Sequence, residues 1–114
     1  MKEVIFIKYG GSIITDKKNP MSFSSSVIDM LNEQVKIISN ESPYSIIIGN
    51  GGGAFGHYFA EKYRLYNGNM NSDTFLGICK GKNGNSFLNR MVVENLLNKH
   101  ILSCSVKISV PYKE

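Results

Sequence analysis

Cysteine is sparse, net charge is slight, and no long hydrophobic run occurs in these 114 residues. Cys79 and Cys104 stand far apart, with no C-x-x-C spacing and no histidine at ligand distance from either, so reduced structural thiols are expected rather than a disulfide or metal framework. The apolar stretch nearest the N-terminus, Val4 to Ile7, is four residues bounded by Glu3 and Lys8. That is too short for a signal-peptide core or a membrane span, and a cytoplasmic protein is expected, without membrane contact. The formal charge is +4 with the basic residues scattered. The nearest thing to a basic patch, "KGKNGN" at Lys80 to Asn85, lacks the interleaved aromatics that stack bases, so it reads as a solvated loop and nucleic-acid binding is not expected. Repeats and low-complexity segments are also missing.

What is present is the composition of a folded lobe, 42% hydrophobic and 19% charged. The length suits one domain and is short for an enzyme with two substrate pockets. "EVIFIKY", Glu3 to Tyr9, is a β-branched run that predicts a first strand buried on both faces and ending at Gly10-Gly11. From Ser24 to Asn40, the residues Val27, Leu31, Val35 and Ile38 fall on one face of a helix with a serine cap. "YSIII", Tyr44 to Ile48, predicts a second buried strand, and Ala54 to about Arg64 a helix weakened by Gly56. Tyr66 to Asp73 reads as loop, Thr74 to Gly84 is left unassigned, and Ser86 to His100 has helical spacing. "CSVKISV", Cys104 to Val110, predicts a third strand.

Strands alternating with helices predict an α/β fold, an open and mainly parallel sheet with helices on both faces. In such a sheet every strand ends on the same edge, so Gly10-Gly11 and Gly51-Gly52-Gly53 are expected on one rim, where ligands of open α/β sheets bind.

Four features at that rim suit phosphate. In "KYGGS", Lys8 to Ser12, a cation leaves a strand just before two glycines whose N–H groups can close on an anion. "GNGGGAFGH", Gly49 to His57, has five glycines in eight residues before its histidine and leads into a helix whose N-terminal amides favour negative charge. His57 falls in the first turn of that helix, where an imidazole can donate to a phosphate oxygen. Lys17 or Lys18 in "TDKK" can reach a transferred phosphoryl group. Two familiar nucleotide motifs fail. "GGGAFG" matches G-x-G-x-x-G, but no strand precedes the candidate acidic residue Asp73, and a Walker loop needs lysine where His57 stands.

Taken together, "IKYGGSIITDKK", "IIIGNGGGAFGH" and "FLNRMVVENLL…VKISVP" resemble the N-terminal half of the amino acid kinase superfamily, in the branch that holds isopentenyl phosphate kinase and fosfomycin kinase. The resemblance implies an ATP- and Mg²⁺-dependent phosphotransferase acting on a small phosphorylated acceptor such as isopentenyl phosphate. It assigns Lys8, Gly10, Gly11, Ser12 and Gly53 to ATP, and Lys17 to the transferring phosphoryl group. Gly52, Gly56 and His57 fall to the acceptor's phosphate, and Lys8, Lys17 and His57 become the catalytic set, with no protein metal ligand. Asn50 stands where the family usually has histidine, Ala54 where it has serine, and "KGKNGNS" where relatives carry a threonine-histidine pair. The resemblance makes residues 1–114 an acceptor-binding lobe without the C-terminal nucleotide-binding lobe. Little turnover is then expected from the chain alone, which would act with a separate half or as a homodimer. The alternatives are a non-catalytic phosphate-binding or dimerisation module and a phosphonate kinase.

Overall fold

The computed structural model describes residues 3–16, 18–19, 22–63 and 71–106, with the backbone only at 56 and 57. Stiff β-branched and aromatic side chains suit a pleated surface, and they form β1, Val4–Tyr9, and β2, Ser45–Asn50. The two strands pair in parallel, Val4 opposite Ser45 and Tyr9 opposite Asn50. Parallel neighbours need a crossover. Here it consists of a short helix α1, Gly11–Ile14, and the longer α2, Ser25–Glu41, which Ser24 caps by accepting the Val27 amide. Then α3, Ala54–Lys62, follows β2, and α4 spans Ser72–Asn98. The lobe is α/β with a parallel sheet, as the element order predicts.

One face of the sheet is covered by described residues. Ile7, Tyr9, Ile46 and Ile48 meet a core of Ile14, Ile28, Val35, Phe55, Leu88, Val92 and Leu96, drawn from all four helices. Fully buried members such as Phe55, Ile28 and Leu88 each stabilise the fold by about 1.5–3 kcal/mol through removal from water. The opposite face corrects the expectation of strands buried on both sides, because Val4, Phe6 and Ile47 alternate outward and are 57%, 66% and 52% exposed.

The buried face of α2 is also centred differently from its apolar pattern. Ile28, Asn32 and Val35 are buried, whereas Ile38 is exposed. Asn32 is tolerated there because its polar atoms are paired: it accepts the Tyr9 hydroxyl at 2.7 Å and donates to the Val92 carbonyl at 3.1 Å and to Asn95 Oδ1 at 2.9 Å. Buried polar groups are neutral to stability only when satisfied in this way. The network continues to the surface, where Asn95 donates to Asp29 and Lys99 bridges Asp29 and Glu33 at 2.8 Å each.

The largest departure is α4. The sequence supports a helix only from Ser86, yet the chain is helical from Ser72 after a reciprocal cap between Asn71 and Thr74. Gly77, Gly81 and Gly84 hide it, since each glycine costs a helix roughly 1 kcal/mol relative to alanine. Their use is lateral. Tyr63 lies against Gly77, Phe59 against Gly81, and Phe55 and Phe59 against Gly84, so aromatic residues at four-residue spacing along α3 and its C-cap Tyr63 fill the glycine side of α4. The "KGKNGN" loop is therefore helix. Of the predicted third strand, Cys104 to Val110, the residues Cys104 to Val106 carry no strand pairing, and the rest of that run lies outside the described residues. Among the described residues no helix is long and apolar enough to cross a membrane.

Candidate functional site

The parallel register sets both glycine loops at one rim. With Tyr9 opposite Asn50, Gly10 and Gly51 leave the sheet side by side, and the Gly51 amide still donates to the Tyr9 carbonyl at 3.0 Å. The loops then touch backbone to backbone. A Cβ on Gly11 would stand 2.7 Å from the Gly53 Cα and 2.9 Å from the Gly51 carbonyl carbon, and Gly53 has φ 49° and ψ −128°. Glycine at both positions is required by contact, and at Gly53 also by conformation.

Thr15 locks this contact. Its buried hydroxyl donates to the Gly11 carbonyl at 2.6 Å and accepts the Ala54 amide at 2.9 Å, linking the end of α1 to the start of α3. The Phe55 amide donates to the Gly52 carbonyl at 2.9 Å. The sequence reading places unpaired amides at the head of the helix after "GGG"; this is corrected in detail, because the first two helical amides have partners. The amides of Gly11, Ser12, Gly52 and Gly53 instead donate to no acceptor among the described residues. Successive free N–H groups of this kind form an anion-binding concavity.

Of the other residues singled out by sequence, Lys8 pairs with Gly49 at the same end of the sheet. It is exposed, and the strand alternation puts it on the open face with Phe6, opposite to Tyr9. Ser12 is exposed at the rim. His57 and Gly56 lie in the first turn of α3 by backbone position; their side-chain surroundings lie outside the described residues, as does Lys17 altogether. The segment around Lys17 has a fixed base: Thr15 bridges to Phe23, the Ser24 amide donates to the Ile14 carbonyl at 2.8 Å, and Asp16 accepts the Lys18 amide and the Asn19 side chain. Among the described residues no cluster of three or more histidine, cysteine or acidic side chains could hold a metal.

Sequence reasoning passed over two residues at this rim. Thr15 was visible only as part of a polar segment, and nothing in one sequence marks its double bond. Asn85 sits on α4 with its side-chain Oδ1 closest to Gly52, Cγ and Nδ2 lying 3.1 and 3.2 Å from where a Cβ would be. One turn later Asn89 donates to Asn50 Oδ1 at 2.8 Å and accepts Ser105 at 2.6 Å. The four-residue spacing of these asparagines was the available signal, obscured by Gly81 and Gly84 just ahead of them.

Comparison with known proteins agrees with the resemblance. The chain is 33% identical over 110 residues to isopentenyl phosphate kinase of Methanothermobacter thermautotrophicus, covering 93% of this chain and 41% of that protein. The product complex of T. acidophilum isopentenyl phosphate kinase superposes with a TM-score of 0.70 at 22% identity, over 87% of this chain and 40% of that one. A substrate complex of isopentenyl phosphate kinase gives a TM-score of 0.69 at 24% identity, over 86% of this chain and 39% of that one. No protein-family model matches. The chain thus spans about two fifths of the length of these relatives, and its fold is that of the N-terminal half of an isopentenyl phosphate kinase.

Proposed function

We propose that this lobe binds the phosphoryl acceptor and part of ATP in a phosphotransferase of the isopentenyl phosphate kinase type, acting in isoprenoid biosynthesis in the cytoplasm. The observation that carries the reading is the pair of glycine loops in backbone contact, with the amides of Gly11, Ser12, Gly52 and Gly53, which meet no acceptor among the described residues, at one rim. Gly10, Gly11, Ser12 and Gly53 face the ATP phosphates, while Gly52, Gly56 and His57 hold the acceptor's phosphate. Lys8 and Lys17 supply positive charge as an oxygen of the acceptor phosphate bonds to the γ-phosphorus and the bond to the β-phosphate oxygen breaks, releasing ADP. Positioning and charge neutralisation are most of what this chemistry asks of a protein. An acceptor that is already an ionised phosphate needs no general base. Mg²⁺ brought in with ATP would contribute further neutralisation of the phosphates.

The adenine-binding lobe lies outside these residues in this reading, contributed by a further C-terminal half or reached through a homodimer. The bare sheet face bearing Val4, Phe6 and Ile47 supports a need for such cover. A thermal-shift titration tests the acceptor assignment. Isopentenyl phosphate is expected to stabilise the chain, and His57→Ala to remove the effect; a chain unmoved by isopentenyl phosphate, fosfomycin and inorganic phosphate alike contradicts it. Stabilisation by fosfomycin alone would favour the phosphonate kinase reading.

A further inference from the structure

We infer that Asn50 and Asn89 are positioning residues that aim the Gly52 amide at the acceptor's anionic group. The inference rests on the acceptor reading of Gly52 given above and adds the hydrogen-bond chain that fixes the direction of its N–H. A trans peptide is planar, so the Gly51 carbonyl and the Gly52 N–H belong to one rigid unit and point in opposite directions. Whatever holds the carbonyl therefore aims the N–H. Asn50 does so from the end of β2, its Nδ2 donating to the Gly51 carbonyl at 3.4 Å. Asn89 on α4 donates in turn to Asn50 Oδ1 at 2.8 Å and accepts the Ser105 hydroxyl at 2.6 Å. A side-chain amide suits both links of this chain, because it accepts on one atom while donating from the other.

The restraint is needed because of where this peptide lies. It joins two glycines, and without a Cβ on either side the unit can turn over at little steric cost. Turned over, it would present the Gly51 carbonyl oxygen to the anion in place of the Gly52 N–H. The preceding peptide is held separately: the Gly51 amide donates to the Tyr9 carbonyl at 3.0 Å, and the Tyr9 hydroxyl is pinned by Asn32, which donates to the Val92 carbonyl and to Asn95. Two hydrogen-bond chains thus run from α4 to Gly51, one reaching its N–H by way of Asn32 and Tyr9, the other its carbonyl by way of Asn50. Asn89, Val92 and Asn95 follow one another at three-residue spacing on α4, among the core residues Leu88, Val92 and Leu96, so one well-packed stretch of helix anchors both chains.

Isothermal titration of the full chain with isopentenyl phosphate, and separately with inorganic phosphate, tests the inference. Asn50→Ala is expected to weaken both ligands roughly tenfold, the lower end for a hydrogen bond to a charged group, and Asn89→Ala roughly threefold, as for a neutral one. Because Asn89 acts through Asn50, the double variant is expected to bind no more weakly than Asn50→Ala alone, and single effects that multiply overturn the chain. Lys99→Met breaks the ion pairs at the far end of α4 and is expected to leave both affinities unchanged; a loss there equal to that of Asn89→Ala marks general loosening and overturns the inference. A readout without ligand isolates the aiming itself. In Asn50→Ala and Asn89→Ala the Gly52 ¹H–¹⁵N signal is expected to broaden as its peptide turns over, while the Gly51 signal, held by Tyr9, keeps its position. A Gly52 signal like the wild type's in both variants overturns the inference and leaves the acceptor reading intact; a wild-type chain that binds neither ligand overturns that reading and the inference with it. A last measurement needs no variant: the Asn50 and Asn89 side-chain signals are expected to shift together with the Gly52 amide as inorganic phosphate is added, and a Gly52 signal that moves alone overturns the link.

Discussion

Thr15 and Ala54, 39 positions apart, are joined by one buried hydrogen bond in which the Ala54 amide donates to Thr15 Oγ1 at 2.9 Å. The same hydroxyl donates to Gly11, so a single side chain sets the distance between the two loops of the rim. Thr15→Val keeps the shape and removes both bonds. The Gly11 carbonyl keeps the Thr15 amide, but leaving the buried Ala54 amide unpaired is expected to cost about 1–3 kcal/mol, measured by urea unfolding. Thr15→Ser retains the hydroxyl and is expected to recover most of that loss. Equal stability of the valine and wild-type chains would remove Thr15 from this role.

Gly53 tolerates no side chain. Its φ of 49° with ψ of −128° lies where residues with a Cβ are strained, and a Cβ there would meet the Gly11 carbonyl carbon at 2.6 Å. Gly53→Ala is expected to destabilise the lobe by more than about 3 kcal/mol, conformational strain and overpacking acting together. Gly81→Ala is the contrasting variant, since its Cβ would meet Phe59 at an ordinary 3.9 Å; the gain in helix propensity is expected to raise stability by up to about 1 kcal/mol. Thermal or urea denaturation of the two variants gives the comparison.

His100 ends α4 in the left-handed region at φ 64°, with the Ile101 amide donating to the Leu96 carbonyl at 3.0 Å and the His100 amide to Leu97 at 2.9 Å. This is the position at which helices usually place glycine. His100→Gly relieves roughly 1 kcal/mol of backbone strain, partly offset by glycine's greater freedom in the unfolded chain. A net rise in unfolding midpoint is expected; a fall would mean that the imidazole contributes an interaction of its own.

Burial pushes the Tyr9 hydroxyl up to about 12 from an ordinary 10.0. The folded state therefore holds a proton that the unfolded state releases first, and stability from this group is complete below pH 10 and declines as pH rises toward 12. At the other end, hydrogen bonds from Lys99 hold the Asp29 and Glu33 carboxyls below their usual range. Their contribution is present at neutral pH and is lost as pH falls through those lowered values. Chemical denaturation across pH is expected to show both limbs. Tyr9→Phe is expected to flatten the alkaline limb and Lys99→Met the acid limb; because the Asp29 and Glu33 carboxylates are exposed, the acid limb is also expected to shrink at high salt.

Much of the rim was legible because it depends on chain direction. Strand runs that stop at Gly10 and before Gly51 dictate where a parallel sheet delivers its loops, and the observed register agrees. What was illegible depends on contacts between distant residues. Asn32 looks like a polar interruption on the face of α2 until Tyr9, Val92 and Asn95 are brought to it. The glycines of α4 look like loop until Phe55, Phe59 and Tyr63 are seen against them. The strands look doubly buried because an apolar run reads the same whether or not a neighbour covers its outer side.

The aromatic–glycine seam also bears on the order in which the chain folds. A segment carrying Gly77, Gly81 and Gly84 has little tendency to nucleate a helix by itself, and its main stabilising contacts come from the rings of α3. The stretch around Leu88, Val92 and Leu96 carries no glycine and has further partners in the core, Ile28, Val35 and Tyr9 besides Phe55. One continuous helix is therefore expected to order in two steps, the glycine-free half before the glycine-bearing half. The half expected to order last is also the one that lies against the α3 aromatic rings beside the rim.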